Sequence, residues 1–148
     1  MDEIRVRVAG LYIENKQILL VKHRKDGQEY YLLPGGGQNS GESMTQALER
    51  EWQEELNVEI TTGKYLFSGE SIPPLNSNKR HVLQVVFEVD KVNGNILLSP
   101  DNTLIDFEWV PLVEINSIRL YPFCKNQIFS VLNGQKPELY MTYNWQDG

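Results

Sequence analysis

Carboxylate side chains are concentrated in one short segment of this sequence. The stretch PGGGQNSGESMTQALEREWQEELNV, residues 34–58, begins with a proline and three glycines and continues into a glutamate-rich segment with helical character. Glu51, Glu54 and Glu55 follow the spacing i, i+3, i+4, which makes them neighbours on one helix surface. Two like charges about 4 Å apart repel by about 4 kcal/mol at an effective dielectric constant of about 20. Such a cluster either takes up protons or binds a cation.

A helical projection places these carboxylates beside the apolar stripe. With Met44 at zero and about 100° per residue, the stripe extends to about 120°. Glu51 falls at about −20°, Glu55 falls at about 20°, and Glu54 falls at about −80°. A helix that carries charge only for solubility would place it opposite the stripe. Clustered carboxylate oxygens are hard ligands, which select Mg²⁺, Mn²⁺ or Ca²⁺ rather than zinc.

Simpler interpretations exist for each half of the segment. The glutamates would also suit a soluble helix with i, i+4 pairs, such as Arg50 with Glu54. The glycines would also suit a tight turn, although the lack of a side chain lets their backbone approach a ligand or metal closely. The two features together favour a cation site. A serine cap at Ser40 or Ser43 and a left-handed cap at Asn57 bound the predicted helix, residues 43–56.

These residues resemble the signature of the Nudix hydrolase family, which places G, E and R-E-U-x-E-E-x-G-U at fixed distances, where U is a bulky apolar residue. Gly36 is followed by five residues and Glu42, and seven more lead to REWQEELNV, residues 50–58. The sequence departs from the pattern at Asn57, where the family usually has glycine. Because asparagine tolerates the left-handed conformation, we expect the loop–helix–loop to be kept. The segments YLLPGG (31–36) and FEWVPL (107–112) also resemble the family.

The resemblance implies an α/β (α+β) fold, an α/β/α sandwich with a mixed β-sheet, in one domain over residues 1–148. It implies hydrolysis of a nucleoside diphosphate linked to another moiety, with Mg²⁺, or Mn²⁺, as cofactor. Carried over by position, the catalytic and metal-binding glutamates are Glu51, Glu54 and Glu55, and Gly36 offers a backbone carbonyl to the metal. Arg50 orients a glutamate. Supporting positions are Glu42, Gly35 and Gly37.

The general base and the substrate contacts stay open at this point. The base is a motif glutamate or a carboxylate on another loop, either Glu70 or Asp101. The candidate substrate contacts are Arg24, His23, Tyr31 and Arg80, with Lys22, Lys25, His81 and Tyr30 as further candidates. A solvated loop explains the basic residues equally well, and core packing suits at least one of the tyrosines better.

The resemblance implies a small nucleotide as the substrate, and only two prolines indicate which class of nucleotide it is. Pro73 and Pro74 follow the end of the motif, Val58, at a spacing that resembles family members that cleave ADP-ribose. ADP-ribose or a nucleotide sugar is therefore favoured over a nucleoside triphosphate, the substrate of MutT-like enzymes. A non-catalytic nucleotide-binding domain is the alternative of a different class. Such domains often lose motif glutamates, whereas all three are present here.

Composition narrows the remaining classes. A chain of 148 residues suggests one domain, and a net charge of −6 argues against a basic groove for extended nucleic acid. The single cysteine, Cys124, is expected to be a buried apolar residue and suits a reducing compartment. Neither a signal peptide nor an apolar run of about 18 residues is found, so we expect a soluble cytoplasmic protein that contacts no membrane.

Strand patterns outnumber helix patterns. Strands are predicted at 4–13, 17–22, 30–33, 58–68 with a break at 62–64, 81–89 and 105–110, and a second helix at 121–132. Polar loops are predicted at 22–27 and 70–80, and a turn at 92–95. Residues 135–148 form an extended tail or edge strand, whose Tyr140, Tyr143 and Trp145 could cover a partner in a homodimer or the chain's own core.

Overall fold

A computed structural model describes residues 3–101, 103–122 and 124–143. The elements in this part of the chain are, in order, β1 (Arg5–Leu11), β2 (Ile13–Glu14), β3 (Gln17–Lys25), β4 (Gln28–Leu32), β5 (Gly35–Gly37), α1 (Met44–Leu56), β6 (Glu59–Ser71), β7 (Val82–Asn93), β8 (Leu104–Pro111), a 3-10 helix (Leu112–Ser117), α2 (Lys125–Leu132) and β9 (Tyr140–Tyr143). Neither α-helix of the described part is long and apolar enough to cross a bilayer.

The strands form two sheets. The first is a mixed five-stranded sheet in the order β5-β1-β7-β6-β9, in which β1 runs parallel to β7 and β6 runs parallel to β9. The second is antiparallel and is built around β3, which pairs with β2, β4 and β8. The predicted mixed sheet in an α+β fold is confirmed.

Alternating residues of β1 and β3 pack in two separate hydrophobic clusters. Val8 and Leu19 pack in a cluster with Leu48 and Trp52 of α1. Their neighbours in sequence, such as Ala9, pack in the second cluster with residues of α2. Because successive side chains of a strand point to opposite faces, the sheets lie between the two helices. This is the layered arrangement that the resemblance implied.

Both predicted caps of α1 are confirmed. Ser43 accepts a hydrogen bond from the Gln46 N–H at 3.1 Å, and its own N–H donates to Gln46 Oε1 at 2.9 Å, which completes a capping box. Asn57 ends the helix with φ 57° and ψ 37°. Its N–H donates to the Gln53 carbonyl at 3.1 Å. The local sequence therefore fixes both ends of the motif helix.

The structure corrects several predicted boundaries. β3 continues to Lys25, so the predicted loop 22–27 is a hairpin whose turn residues Asp26 and Gly27 have positive φ. The three glycines form strand β5 rather than a turn. β6 continues through 62–64 with irregular pairing to β7. β7 itself ends at Asn93, two residues into the predicted turn 92–95.

The second helix is shorter than predicted, because residues 119–121 pair with β4 in extended conformation. Tyr31 N–H donates to the Arg119 carbonyl at 2.7 Å, and Tyr121 N–H donates to the Tyr31 carbonyl at 2.9 Å. The tail contains the predicted edge strand, β9. Tyr143 is buried in the core and Tyr140 is exposed, while Trp145 lies outside the described residues.

Candidate active site

Strand β5 brings glycine backbone against a carboxylate of α1. A Cβ atom added to Gly36 would lie 2.3 Å from Cδ of Glu51 and 2.5 and 2.6 Å from its two oxygens. Any side chain at this position would displace the carboxylate. On the same side, Trp52 Nε1 donates to the Pro34 carbonyl at 3.0 Å and fixes α1 against the strand. The absence of a side chain at Gly36 is therefore what allows this contact.

Arg50 connects the loop before α1 with the carboxylates on it. Its Nε and Nη2 donate to the two oxygens of Glu42 at 3.0 and 2.6 Å, and Nη2 also donates to the Gly37 carbonyl at 2.9 Å. Its Nη1 donates to Glu51 Oε1 at 2.9 Å and reaches Glu54 at 3.3 Å. Glu42 is the main cause of a raised pKa of Arg50, and the guanidinium in turn lowers the pKa of Glu42.

Glu55 is the half-buried carboxylate of the group. Burial is the main cause that raises its pKa to about 7, with repulsion from Glu51, Asp101 and Glu54 adding to it and Arg7 opposing it. Among the described residues, its Oε1 is buried without a hydrogen-bond partner. A neutral or cation-bound carboxylate is stable in such surroundings, whereas an isolated anion is not.

The donor set fits a hard divalent cation. Such an ion requires oxygen ligands close to one another. The site offers the unpartnered Oε1 of Glu55 and the repelling oxygens of Glu51 and Glu54, together with the glycine contact at Glu51. Within 3–101, 103–122 and 124–143, no three acidic, histidine or cysteine side chains already converge as a ligand set. The fit therefore rests on the chemistry of the donors.

Arg7 is a site residue that the sequence analysis missed. It lies half-buried on β1, where Nη1 donates to Gln84 Oε1 at 2.9 Å and Nη2 donates to the Leu33 carbonyl at 2.8 Å. Burial lowers the pKa of Arg7, and the charges of Glu55 and Glu51 partly restore it. An arginine that alternates with valines in a strand due to be half-buried was the available signal.

His23 and Tyr30 form an aromatic pair near Arg7. Their rings stack with centroids 5.7 Å apart, and Tyr121 meets Tyr30 edge-on at 5.4 Å. The His23 Nδ1 atom lies 2.8 Å from Thr103 Oγ1. Burial first and the charge of Arg7 second lower the pKa of His23 to about 4, so the imidazole is neutral at pH 7. Of the predicted substrate contacts, His23 is the one whose pKa depends on Arg7 and Asp101, which also influence the pKa of Glu55.

The other predicted substrate contacts lie in different places. Arg24 is exposed and pairs with Glu29 across the hairpin, as a solvated charge would. Tyr31 donates to Glu108 at 2.6 Å, beside Lys22. Arg80 is exposed and borders a cavity of about 370 Å³ next to the loop before α1. The structure does not bring these three side chains together.

The two non-motif candidates for the base differ in their surroundings. Asp101 follows Ser99 by two residues, and the Ser99 N–H donates to the Glu55 carbonyl at 2.8 Å. The charge of Asp101 adds to the raised pKa of Glu55 and opposes the lowered pKa of His23. Glu70 instead accepts hydrogen bonds from Tyr140 at 2.8 Å and pairs with His81 at 2.5 Å, and these two lower its pKa. The expected burial of Cys124 is confirmed, and burial raises the pKa of its thiol to about 12.

Comparison with known proteins adds to this geometry. Residues 3–130 match the family model of the NUDIX domain. The chain belongs to the Nudix family. It is 30% identical over 103 residues to the ADP-ribose pyrophosphatase of Methanocaldococcus jannaschii, which covers 69% of this chain and 60% of that protein. The chain therefore spans less than two thirds of that relative's length.

Solved structures of Nudix proteins share the fold. The mutator MutT protein from Bacillus halodurans superposes with a TM-score of 0.74 at 18% identity, covering 95% of this chain and 90% of that chain. The MutT protein from Methanosarcina mazei superposes with a TM-score of 0.73 at 21% identity, covering 90% and 96%. These likenesses establish the Nudix architecture for this chain.

Proposed function

We propose that this protein hydrolyses a diphosphate linkage in a nucleoside diphosphate derivative, with Mg²⁺ or Mn²⁺ as cofactor and ADP-ribose or a nucleotide sugar as substrate. One observation carries the proposal. The Gly36 backbone lies against Glu51, and the Arg50 guanidinium bonds Glu51 and Glu54. Beside them, the buried Oε1 of the half-buried Glu55 has no hydrogen-bond partner among the described residues. An acidic helix that served only solubility would need none of these contacts.

The motif residues would hold the cofactor. Glu51, Glu54 and Glu55 would supply carboxylate oxygens, and Gly36 would supply its carbonyl oxygen. A divalent cation held there would neutralise phosphate charge and would lower the pKa of a bound water. Arg50 keeps two of the carboxylates in place through its hydrogen bonds, with Glu42 and the Gly37 carbonyl fixing the guanidinium in turn.

Proton transfer from the attacking water falls to a nearby carboxylate. The water oxygen forms a bond to phosphorus, a bridging P–O bond breaks, and the proton passes to that carboxylate. Asp101 and Glu55 are the favoured candidates, because Asp101 lies two residues after Ser99, which bonds the Glu55 backbone, and its charge adds to the raised pKa of Glu55. Glu70 is less suitable, since His81 and Tyr140 already occupy its oxygens. The reaction requires no covalent intermediate with the enzyme.

Arg7, His23 and Tyr30 would bind the substrate outside the reacting phosphates. Arg7 has donors beyond the two that bond Gln84 and Leu33. The stacked rings of His23 and Tyr30 offer a flat aromatic surface. The name of the archaeal relative and the position of Pro73 and Pro74 in the loop after β6 support an ADP-ribose-like substrate.

A turnover screen tests the proposal. Purified protein is assayed with Mg²⁺, with Mn²⁺ and with EDTA against ADP-ribose, nucleotide sugars, dinucleoside polyphosphates and normal or oxidised nucleoside triphosphates. We expect metal-dependent release of a nucleoside monophosphate from ADP-ribose or a nucleotide sugar. Turnover confined to triphosphates would indicate a MutT-like enzyme, and binding without turnover across the panel would indicate a regulatory domain.

Cytoplasmic location and a homodimer remain predictions. The single, buried Cys124 suits a reducing compartment. Exposed Leu139 and Tyr140 at the edge strand β9 offer apolar surface to a second copy. Sedimentation of the wild-type chain and of Tyr140→Ser measures whether this surface joins two protomers.

A further inference from the structure

Asn57 makes contacts that the usual glycine of the motif cannot make. Its backbone is left-handed and caps α1, a task that glycine also performs. Its side chain does more, because Nδ2 donates to the Leu97 carbonyl at 2.6 Å and to Ser99 Oγ at 2.9 Å. These bonds reach a segment about 40 residues further along the chain. The departure from the family pattern therefore adds a link between α1 and the 97–99 segment.

The same segment also binds the end of α1 through its backbone. Leu97 N–H donates to the Leu56 carbonyl at 3.0 Å, and Ser99 N–H donates to the Glu55 carbonyl at 2.8 Å. The last carbonyls of a helix lack partners within the helix, so these bonds satisfy them. Four hydrogen bonds of 2.6 to 3.0 Å thus join one short segment to the last turn of the motif helix.

Asp101 and Thr103 follow this anchor, and both interact with residues of the candidate site. Asp101 lies two residues after Ser99, whose N–H donates to the Glu55 carbonyl. The charge of Asp101 adds to the raised pKa of Glu55 and opposes the lowered pKa of His23. Thr103 closes the segment, with its hydroxyl 2.8 Å from His23 Nδ1 and its carbonyl accepting from the Arg24 N–H at 2.8 Å. Asp101 therefore lies in the chain between two attached residues, Ser99 on α1 and Thr103 on β3.

We propose that Asn57 is a positioning residue that holds the 97–99 segment on α1 and so fixes Asp101 beside Glu55. This inference rests on the proposed function for its consequence in catalysis. Its structural part, the anchoring, stands on the four hydrogen bonds alone. Glycine at position 57 would keep the cap and remove the two side-chain bonds, so that only the two backbone bonds would hold the segment.

The test replaces Asn57 by the residue the family usually carries. Asn57→Gly preserves the left-handed cap, so we expect a folded protein whose Leu97 and Ser99 amides exchange hydrogen about tenfold faster than in the wild type. Asn15→Gly is the matched control, because Asn15 also has positive φ, 53°, but lies in the exposed turn between β2 and β3. We expect unchanged exchange at Leu97 and Ser99 in the control.

Kinetics then test the consequence. We expect Asn57→Gly to lower kcat about five- to tenfold and to change KM less than about threefold, because a misplaced catalytic group affects the chemical step. In an Asp101→Asn background, the same change should cost less than about twofold, since both act through one group.

Two results would overturn the inference. Exchange at Leu97 and Ser99 that is as slow in Asn57→Gly as in the wild type refutes the anchoring. Fully additive losses of kcat in the double variant refute the action through Asp101. If the wild-type protein hydrolyses no substrate, the proposed function fails, and the exchange measurement still decides whether Asn57 anchors the segment.

Discussion

In the part of the chain that the structure describes, two glycine backbones, at Gly36 and Gly63, lie against carboxylates, and only Gly36 belongs to the Nudix motif. A Cβ on Gly36 would lie 2.3 Å from Cδ of Glu51, and a Cβ on Gly63 would lie 2.5 Å from Oδ1 of Asp90 and 2.9 Å from Oε1 of Glu88. The approach is similarly close in both places. Proximity of glycine to acidic side chains therefore does not by itself mark a metal site.

The surroundings of the two contacts differ in ways that matter chemically. At Gly63, Glu88 and Asp90 bond each other, and this bond is the main cause that raises the pKa of Glu88, with Lys64 opposing it. At Gly36, Arg50 spans Glu51 and Glu54, while Glu55 has a buried oxygen without a partner in the described chain. An organising guanidinium and an unsatisfied carboxylate distinguish the candidate site.

The largest expected effect comes from neutralising the motif carboxylates. Glu54→Gln and Glu55→Gln should each lower Mg²⁺-dependent kcat/KM by about 1,000-fold, or about 4 kcal/mol in the barrier, because each removes a metal-binding or proton-accepting oxygen. Steady-state rates on the best substrate of the screen measure the loss. Wild-type rates in both variants would contradict the assignment and remove the distinction between the two glycine contacts.

Much of this site could be predicted from local sequence, because its parts are close in the chain. The spacing of Glu51, Glu54 and Glu55 fixes their common helix face, and Ser43 and Asn57 fix the helix ends. Arg7 could not be assigned, since its role depends on Gln84, 77 residues away on a paired strand. The choice of neighbouring strand within a sheet is not encoded in the alternation of one strand.

The hairpin of β3 and β4 contains a turn signal that the sequence analysis missed and a long-range contact that local sequence could not reveal. Asp26-Gly27 is a strong hairpin turn signal that would have extended β3 and placed Arg24 opposite Glu29. That pairing makes Arg24 a surface charge rather than a substrate contact. The position of His23 beside Thr103 needed the tertiary structure, because the two residues are 80 positions apart.

The second largest effect is a pH dependence of stability carried by Glu55. Its pKa is raised from 4.5 to about 7 in the folded protein. Between these values the unfolded chain has lost the proton and the folded chain retains it, so the free energy of unfolding falls as pH rises. The contribution is fully present below about pH 4.5 and is lost by about pH 7, a difference of roughly 3 kcal/mol.

Denaturant unfolding of the metal-free wild type and of Glu55→Gln from pH 4 to pH 8 measures this term as the difference between the two proteins. Taking the difference cancels the other carboxylates, such as Glu42, whose lowered pKa acts in the opposite direction. A saturating divalent cation should flatten the difference, because it favours the ionised carboxylate. A difference that does not change with pH would show that Glu55 is ionised in the folded protein.

Filling the two glycine contacts gives the third effect. In Gly36→Ala the new methyl group displaces Glu51, which Arg50 holds, and we expect kcat to fall about 10- to 30-fold. In Gly63→Ala the contacted atoms are the ends of Asp90 and Glu88, which can rotate away, and kcat should change less than about twofold. Equal losses of kcat in the two variants would show that the glycine contact, and not the site around it, sets the rate.

The smallest effect is expected when a glutamate is replaced by glutamine at the Gly63 contact. Glu88→Gln alters charge and shape as Glu54→Gln does, but it removes one of two carboxylates that repel each other and retains an amide that can donate to Asp90. Turnover should stay within about twofold of wild type, and the free energy of unfolding should change by less than about 0.5 kcal/mol. Glu54→Gln is measured in parallel, because it loses the same charge at the candidate site. A large loss of metal-dependent turnover in Glu88→Gln would place Glu88 and Asp90 in the reaction, because this substitution differs from Glu54→Gln only in its position.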